Sequence, residues 1–286
     1  MRLIVFGGWG QLGTDLAATA VGRHELIRPR HSELDVSDAD GLAAYVRDQA
    51  PDAIINAAAF HKVELCETDP ARAFTVNAIG GLNVARAAAA IGVPSVFIST
   101  DYVFRGDASG GYVEDAPVGP VNVYGASKAA AETLVLGADP QGIVVRGSGL
   151  FGHAGSSGKG GNFVETMLAK ARAGVALQVV DDQRFAPTAT RDLAERIIEL
   201  IERRVPTGIY HGANSGSCSW YEFARRAIEL AGLSASLTPR ATETGPVLQP
   251  ADSILLDTKS PGVGMAPARP WEDALSWYID NRPPTS

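Results

Sequence analysis

The 286-residue sequence is poor in the side chains that staple or metallate a fold. It has two cysteines, Cys66 and Cys218, and five histidines, with no Cys/His run at metal-ligand spacing. Thiols so far apart predict reduced, partly buried side chains, and neither a disulfide framework nor a metal site. Positive charge is also short. Lys and Arg total 25 against 32 Asp and Glu, a formal net charge of −7. Without a basic block the chain is a poor ligand for nucleic acid or an anionic membrane, so neither is expected as a partner. No apolar run reaches 18 residues, and the opening MRLIVFGG reads as a strand, not as a leader peptide. These absences point to a cytoplasmic enzyme acting on a small molecule as a monomer or homodimer.

What is present is alternation. RLIVFG, HELIR, DAIINAA, PSVFIST and GIVVRGS are short aliphatic runs, separated by alanine-rich or amphipathic stretches. Continuously hydrophobic strands between helices predict a parallel sheet covered on both faces, wound by right-handed crossovers. The fold class is therefore α/β, a Rossmann-type doubly wound sheet. Beyond residue 150 the texture changes to a glycine-rich loop, FGHAGSSGKGGNF, then a helix near 162–173 and the strand ALQVV. A long amphipathic helix follows DDQRFAPT, GIYHGA reads as a strand returning to the first sheet, and further helices fall near 219–232 and 270–281. The expected division is a dinucleotide domain over 1–150 plus about 188–214, with a partly interleaved substrate domain from 151–187 and 215–286.

The first strand runs directly into GGWGQLG, in which Gly7, Gly10 and Gly13 enclose Gln11 and Leu12. Glycines at a strand-to-helix turn let the backbone approach a pyrophosphate, which rests on the helix N-terminus. The end of the second strand reads ELIRPRHSELD, with Arg28 and Arg30 and no carboxylate between Ile27 and Glu33. An acid there would bind the 2′-hydroxyl of NAD, whereas arginine accommodates a 2′-phosphate, so NADPH is expected, with NADH the alternative.

PVNVYGASKAAAE then sets Tyr124 and Lys128 four residues apart at the start of a helix. On one helical face the two lie roughly 5–6 Å apart at Cβ. An ammonium that close would lower the pKa of the phenol from about 10 and fit it for proton transfer.

These residues resemble the extended short-chain dehydrogenase/reductases. STDYVF (Ser99–Phe104), PVNVYGASKAAAE, GGNFVETML and DDQRFAPT narrow the resemblance to dTDP-4-dehydrorhamnose reductases and related nucleotide-sugar 4-ketoreductases. The resemblance implies that Tyr124 donates a proton to the substrate carbonyl oxygen and that Thr100 hydrogen-bonds that oxygen. It implies that Lys128 holds the nicotinamide ribose, Asp35 and Val36 contact adenine, and Ala57, Ala58 and Ala59 line the cofactor strand. Asn77 would fix the neighbouring backbone. Thr100, Asp101, Tyr102, Gly149, Asn162 and Phe185 fall where the family binds its nucleotide sugar. Dehydratases of the superfamily carry a glutamate where this chain has Tyr102, and epimerases hold NAD, so reduction is the expected reaction. A non-catalytic NADP-binding regulatory subunit is the reading from another class.

The chain departs from the family's pattern at three places. Gly147 and Gly149 replace a threonine and a tryptophan, Phe185 replaces a glycine, and Gln249-Pro250 replaces Arg-Pro. Losing a tryptophan while gaining a phenylalanine nearby would reshape the sugar pocket at nearly constant volume. Elsewhere, Arg146 is expected to pair structurally, Asp181 and Asp182 to form an exposed turn, and Lys159 to be solvated. Trp220, Trp271 and Trp277 are expected to pack the second domain.

Overall fold

The computed structural model describes residues 1–155, 161–243 and 245–282; Lys159 lies outside them. The main sheet has six parallel strands: β1 (Arg2–Phe6), β2 (Glu25–Ile27), β3 (Ala53–Asn56), β4 (Ser95–Thr100), β5 (Ile143–Gly147) and β10 (Gly208–His211). Their order is β10-β5-β4-β3-β1-β2. The order reverses at β1, because β2 lies on one side of it and β3 on the other. That reversal opens a crevice at the strands' C-terminal ends, where doubly wound sheets bind ligands.

The side-chain period of two builds a core on each face of the sheet. Leu3 and Val5 join Leu12 and Leu16 of α1 (Gln11–Ala20) and Leu193, Ile197 and Ile201 of α8 (Thr190–Glu202). Ile4 and Phe6 point the other way, to Leu42 and Val46 of α2 (Ala39–Gln49) and Val84 of α5 (Gly80–Ile91). Ile54 and Ile55 are fully buried on opposite faces, each worth about 1.5–3 kcal/mol of hydrophobic stabilisation. Between β3 and β4 the chain also forms α3 (Val63–Thr68), α4 (Pro70–Phe74) and a widened π turn at Thr75–Ile79. The stretch Pro70–Ile91 is long and apolar enough to cross a membrane by length and composition, but half of its apolar window is buried in the protein.

The Tyr/Lys segment is α6 (Val123–Ala138). Asn122 caps it by accepting from the backbone N–H of Gly125 at 2.8 Å. A separate aromatic core forms from α7 (Phe163–Arg172), α9 (Trp220–Leu230) and α10 (Trp271–Asp280), with Phe151, Phe185, Phe223, Trp271 and Tyr278 at its centre. Short strand pairs edge it: β6 (Leu150–Phe151) with β9 (Thr188–Ala189), β7 (Leu177–Val180) with β12 (Leu237–Arg240), and β8 (Arg184–Phe185) with β11 (Cys218–Ser219). Trp271 packs in that core as expected and half-buried Trp220 packs against it at the cavity edge, whereas Trp277 lies under the guanidinium of Arg191.

Candidate active site

A cavity of about 1390 Å³ runs along the C-terminal ends of the strands and on between the sheet and the aromatic core. Gly7, Gly10, Gln11, Leu12 and Gly13 form its floor at one end, with Asp35, Val36, Ala57, Ala58 and Ala59 beside them. Gly7 has φ +72°, and a Cβ there would stand 2.6 Å from the Ala57 carbonyl group, so the tight turn requires glycine. Helix α1 starts at Gln11 without a side-chain cap or an acid in its first turn, which leaves amide donors available to an anion. Gln11 Oε1, buried on the cavity wall, has no hydrogen-bond partner among the described residues. An acceptor waiting for a donor, a glycine cradle and an uncapped helix together fit a dinucleotide.

At the centre, β4 delivers Thr100 and the first turns of α6 deliver Tyr124 and Lys128. Thr100 and Tyr124 both line the cavity here, with the threonine hydroxyl near enough to the phenol to act on its pKa. Thr100 Oγ1 donates to Asp101 Oδ1 at 3.0 Å and accepts from the Tyr102 N–H at 3.2 Å. Asp101 is buried, and its second oxygen accepts from Ser148 at 2.8 Å and Ser253 at 2.6 Å. Burial raises its pKa despite these donors. The Tyr102 ring meets that of Tyr124 edge-on at 6.0 Å.

The lysine does not do what its spacing predicts. Lys128 Nζ donates to the Ile98 carbonyl and lies 4.0 Å from the centroid of the Phe97 ring. Burial depresses its pKa to about 7, only partly opposed by Glu132 one turn on. The phenol of Tyr124 is correspondingly not acidified. Burial pushes its pKa up, the nearby Thr100 hydroxyl opposes the rise, and Asp101 adds to it. Tyr124 therefore keeps its proton at neutral pH, the form needed to protonate a carbonyl oxygen.

Of the remaining expected site residues, Tyr102, Gly149, Asn162 and Phe185 line the cavity on the side of the aromatic core. Asn162 caps α7 through Glu165 N and donates to Gly152 O and Tyr278 Oη, so its polar atoms are already engaged. Asn77 and Arg30 are not on the cavity wall. Asn77 is fully buried one layer behind it, clamping both backbone groups of Phe60 and donating to Ser127 on α6. It therefore holds the wall in place and cannot reach a ligand directly. Arg30 is exposed at the rim, 4.2 Å from the Trp9 ring centroid. Sequence reasoning missed Trp9, Ser148 and Ser253; the two serines carry no local signal, because only the tertiary fold brings them to Asp101.

The sequence model of the RmlD substrate binding domain family matches residues 1–282. The chain belongs to this family. Among its relatives, the spore coat polysaccharide biosynthesis protein SpsK of Bacillus subtilis (strain 168) is 37% identical over 284 residues, covering 98% of each chain. The dTDP-4-dehydrorhamnose reductase of Mycolicibacterium smegmatis (strain ATCC 700084 / mc(2)155) is 35% identical, over 96% of this chain and 84% of that one. A crystal structure of dTDP-4-dehydrorhamnose reductase from Bacillus anthracis str. Ames, solved in complex with NADP, superposes with a TM-score of 0.91 at 34% identity, covering 98% of each chain. Family membership agrees with the resemblance read from STDYVF and PVNVYGASKAAAE.

Proposed function

We propose that this chain reduces the C4 ketone of a nucleotide-linked 4-keto-6-deoxy sugar, with dTDP as the carrier and NADPH as reductant. The observation that carries the reading is that Thr100 and Tyr124 line one cavity together with a glycine cradle fitted to a dinucleotide. NADPH, when bound, supplies the hydride that reaches C4. Gly7, Gly10, Gln11 and Gly13 would hold its pyrophosphate, and Asp35 and Val36 its adenosine. Tyr124 gives its phenolic proton to O4, so the carbonyl gains one hydride and one proton and becomes a hydroxyl. Thr100 would orient that oxygen by turning its single O–H from Asp101 Oδ1, its present acceptor, to O4. Lys128, also on the cavity wall, would have to release the Ile98 carbonyl to hold the nicotinamide ribose.

The sugar end is where this chain differs from the pattern it resembles. Gly149 has φ +50°, and a Cβ built on it would overlap the Phe185 ring, which stacks on Trp220 at 4.0 Å. Phe185 thus occupies space that a larger residue at 149 would need, and we assign the Gly149–Phe185–Trp220 group to sugar selection. The same reading places the dinucleotide in residues 1–150 and 188–214 and the nucleotide sugar against 151–187 and 215–286.

The test offers dTDP-4-keto-6-deoxyglucose and its 3,5-epimerised product side by side with NADPH. Tyr124→Phe should lower turnover by about 10²–10⁴-fold and leave NADPH binding intact. Turnover that survives the substitution would sink the assignment. Tight NADPH binding with no turnover of either sugar by the wild-type protein would favour a regulatory, non-catalytic subunit.

A further inference from the structure

Trp9, in the glycine turn, is 51% exposed and lines the cavity at the adenosine end together with Pro29 and His31. Such exposure is unusual for the largest apolar side chain in a turn whose other neighbours are glycines. The surroundings explain it. Its indole Nε1 donates to the Arg28 carbonyl at 3.0 Å, which ties the turn to the end of β2. The guanidiniums of Arg28 and Arg30 both lie over its ring, 4.3 and 4.2 Å from the centroid. Both distances are inside the range at which an aromatic face attracts a cation.

The two arginines are not equivalent. Arg28 Nη1 donates to the Gly8 carbonyl at 3.1 Å, and its stem covers Gly8 so closely that a Cβ there would come within 2.8 Å of it. Arg28 is therefore committed to the protein. Arg30 is exposed, and among the described residues its guanidinium forms no ion pair; the nearby Glu33 carboxylate accepts from the Arg30 backbone N–H instead, at 2.8 Å. Across the rim, His31 stands 3.6 Å from Asp35.

We propose that Trp9 is a positioning residue that holds Arg30 at the cavity rim to receive a phosphomonoester on the 2′ position of the bound adenosine, with Arg28 as its fixed counterpart. This rests on the dinucleotide reading of the cavity given above. A guanidinium is planar and weakly hydrated, so it stacks on an indole and keeps its donors free at the edge. Pre-ordering the side chain in this way reduces what phosphate binding must immobilise. Removing the indole frees Arg30 and leaves two like charges unbuffered beside each other.

The experiment is calorimetric titration of the full chain with 2′,5′-ADP and, separately, 5′-AMP, which differ only in the 2′-phosphate. Trp9→Leu should weaken 2′,5′-ADP by about two- to five-fold, the loss of one exposed cation–π contact. Binding of 5′-AMP should not change, and Trp9→Phe should recover most of the loss. Arg30→Ala should weaken 2′,5′-ADP further, and adding Trp9→Leu to it should have no additional effect. Equal weakening of both nucleotides by Trp9→Leu would mean that the indole only shapes the turn, and would overturn the proposal. So would a wild-type protein that binds the two nucleotides equally, a result that leaves the reductase reading standing with NADH. If neither nucleotide binds, the assignment and the dinucleotide reading fall together.

Discussion

Replacing Lys128 by methionine should make the protein more stable at neutral pH while abolishing turnover. Lys128 is 2% exposed, and burial brings its pKa from 10.5 down to about 7. In the unfolded chain a lysine keeps its proton to about pH 10.4. Between those two values the unfolded state binds more protons than the native one, so stability rises with pH across the window and falls as pH drops toward 7. At about 1.4 kcal/mol per tenfold, the interval caps the cost at roughly 5 kcal/mol. The two titration curves leave about 4 kcal/mol of it at pH 7 and about 2 kcal/mol at pH 9. Methionine matches the stem's length and adapts to irregular space, but it forfeits the hydrogen bond to the Ile98 carbonyl, worth about 1 kcal/mol. Urea denaturation of both proteins at pH 7 and pH 9 isolates the effect, because groups that titrate in both drop out of the difference. The variant should lead by about 2–3 kcal/mol at pH 7, and the lead should shrink by about 2 kcal/mol at pH 9. A lead that stays constant with pH, or a variant that is weaker at pH 7, would refute the reasoning. A side chain that costs this much persists where activity requires it.

Two further substitutions separate the cradle from its support. Gly7→Ala puts a Cβ 2.6 Å from the Ala57 carbonyl at φ +72°, so NADP affinity, read by calorimetry, should fall by tenfold or more, with stability lower by about 1–3 kcal/mol. Glu132→Leu leaves the buried Arg146 guanidinium without the carboxylate that now pairs with it at 2.7 and 2.8 Å, and should cost about 3–5 kcal/mol in denaturant unfolding.

Periodicity carried most of the scaffold. GIYHGA was legible as a sixth strand of the first sheet because an aliphatic run after a long amphipathic helix has a parallel edge to join, and β10 does pair with β5. By contrast LTPR, which pairs with β7 as β12, was not legible, since Pro239 argues against a strand anywhere but an edge. At the site, the four-residue spacing put Tyr124 and Lys128 on one helix, but spacing says nothing of where a flexible ammonium points. That was decided by the Ile98 carbonyl and the Phe97 ring, both on β4, roughly a full βα unit earlier in the chain. Arg146 was legible as a structural pair because a charge ending a buried strand needs a partner; that the partner is Glu132, on the helix of Tyr124 and Lys128, was not.

That pairing bears on what makes the site. Asp101, beside Thr100, relies for one of its oxygens on Ser148 and on Ser253 from the far end of the chain. Arg146 donates to the Glu114 carbonyl, and the Glu114 carboxylate accepts from Thr258 and from the Lys259 N–H. His211, held neutral by burial with its pKa near 4, bonds through Nδ1 to the Leu256 carbonyl at 2.9 Å. Each of these buried polar groups would cost about 1–3 kcal/mol if left without its partner. The segment from Ser253 to Lys259 therefore does not merely cover the six-stranded sheet domain but completes the hydrogen bonding beneath Thr100 and the helix that carries Tyr124. A chain lacking that segment would still have the sequence of Thr100 and Tyr124, but Asp101 Oδ2 would lose one of its two donors. The alignment of Thr100 with Tyr124 is in this sense a property of both ends of the chain, and it forms only when they meet.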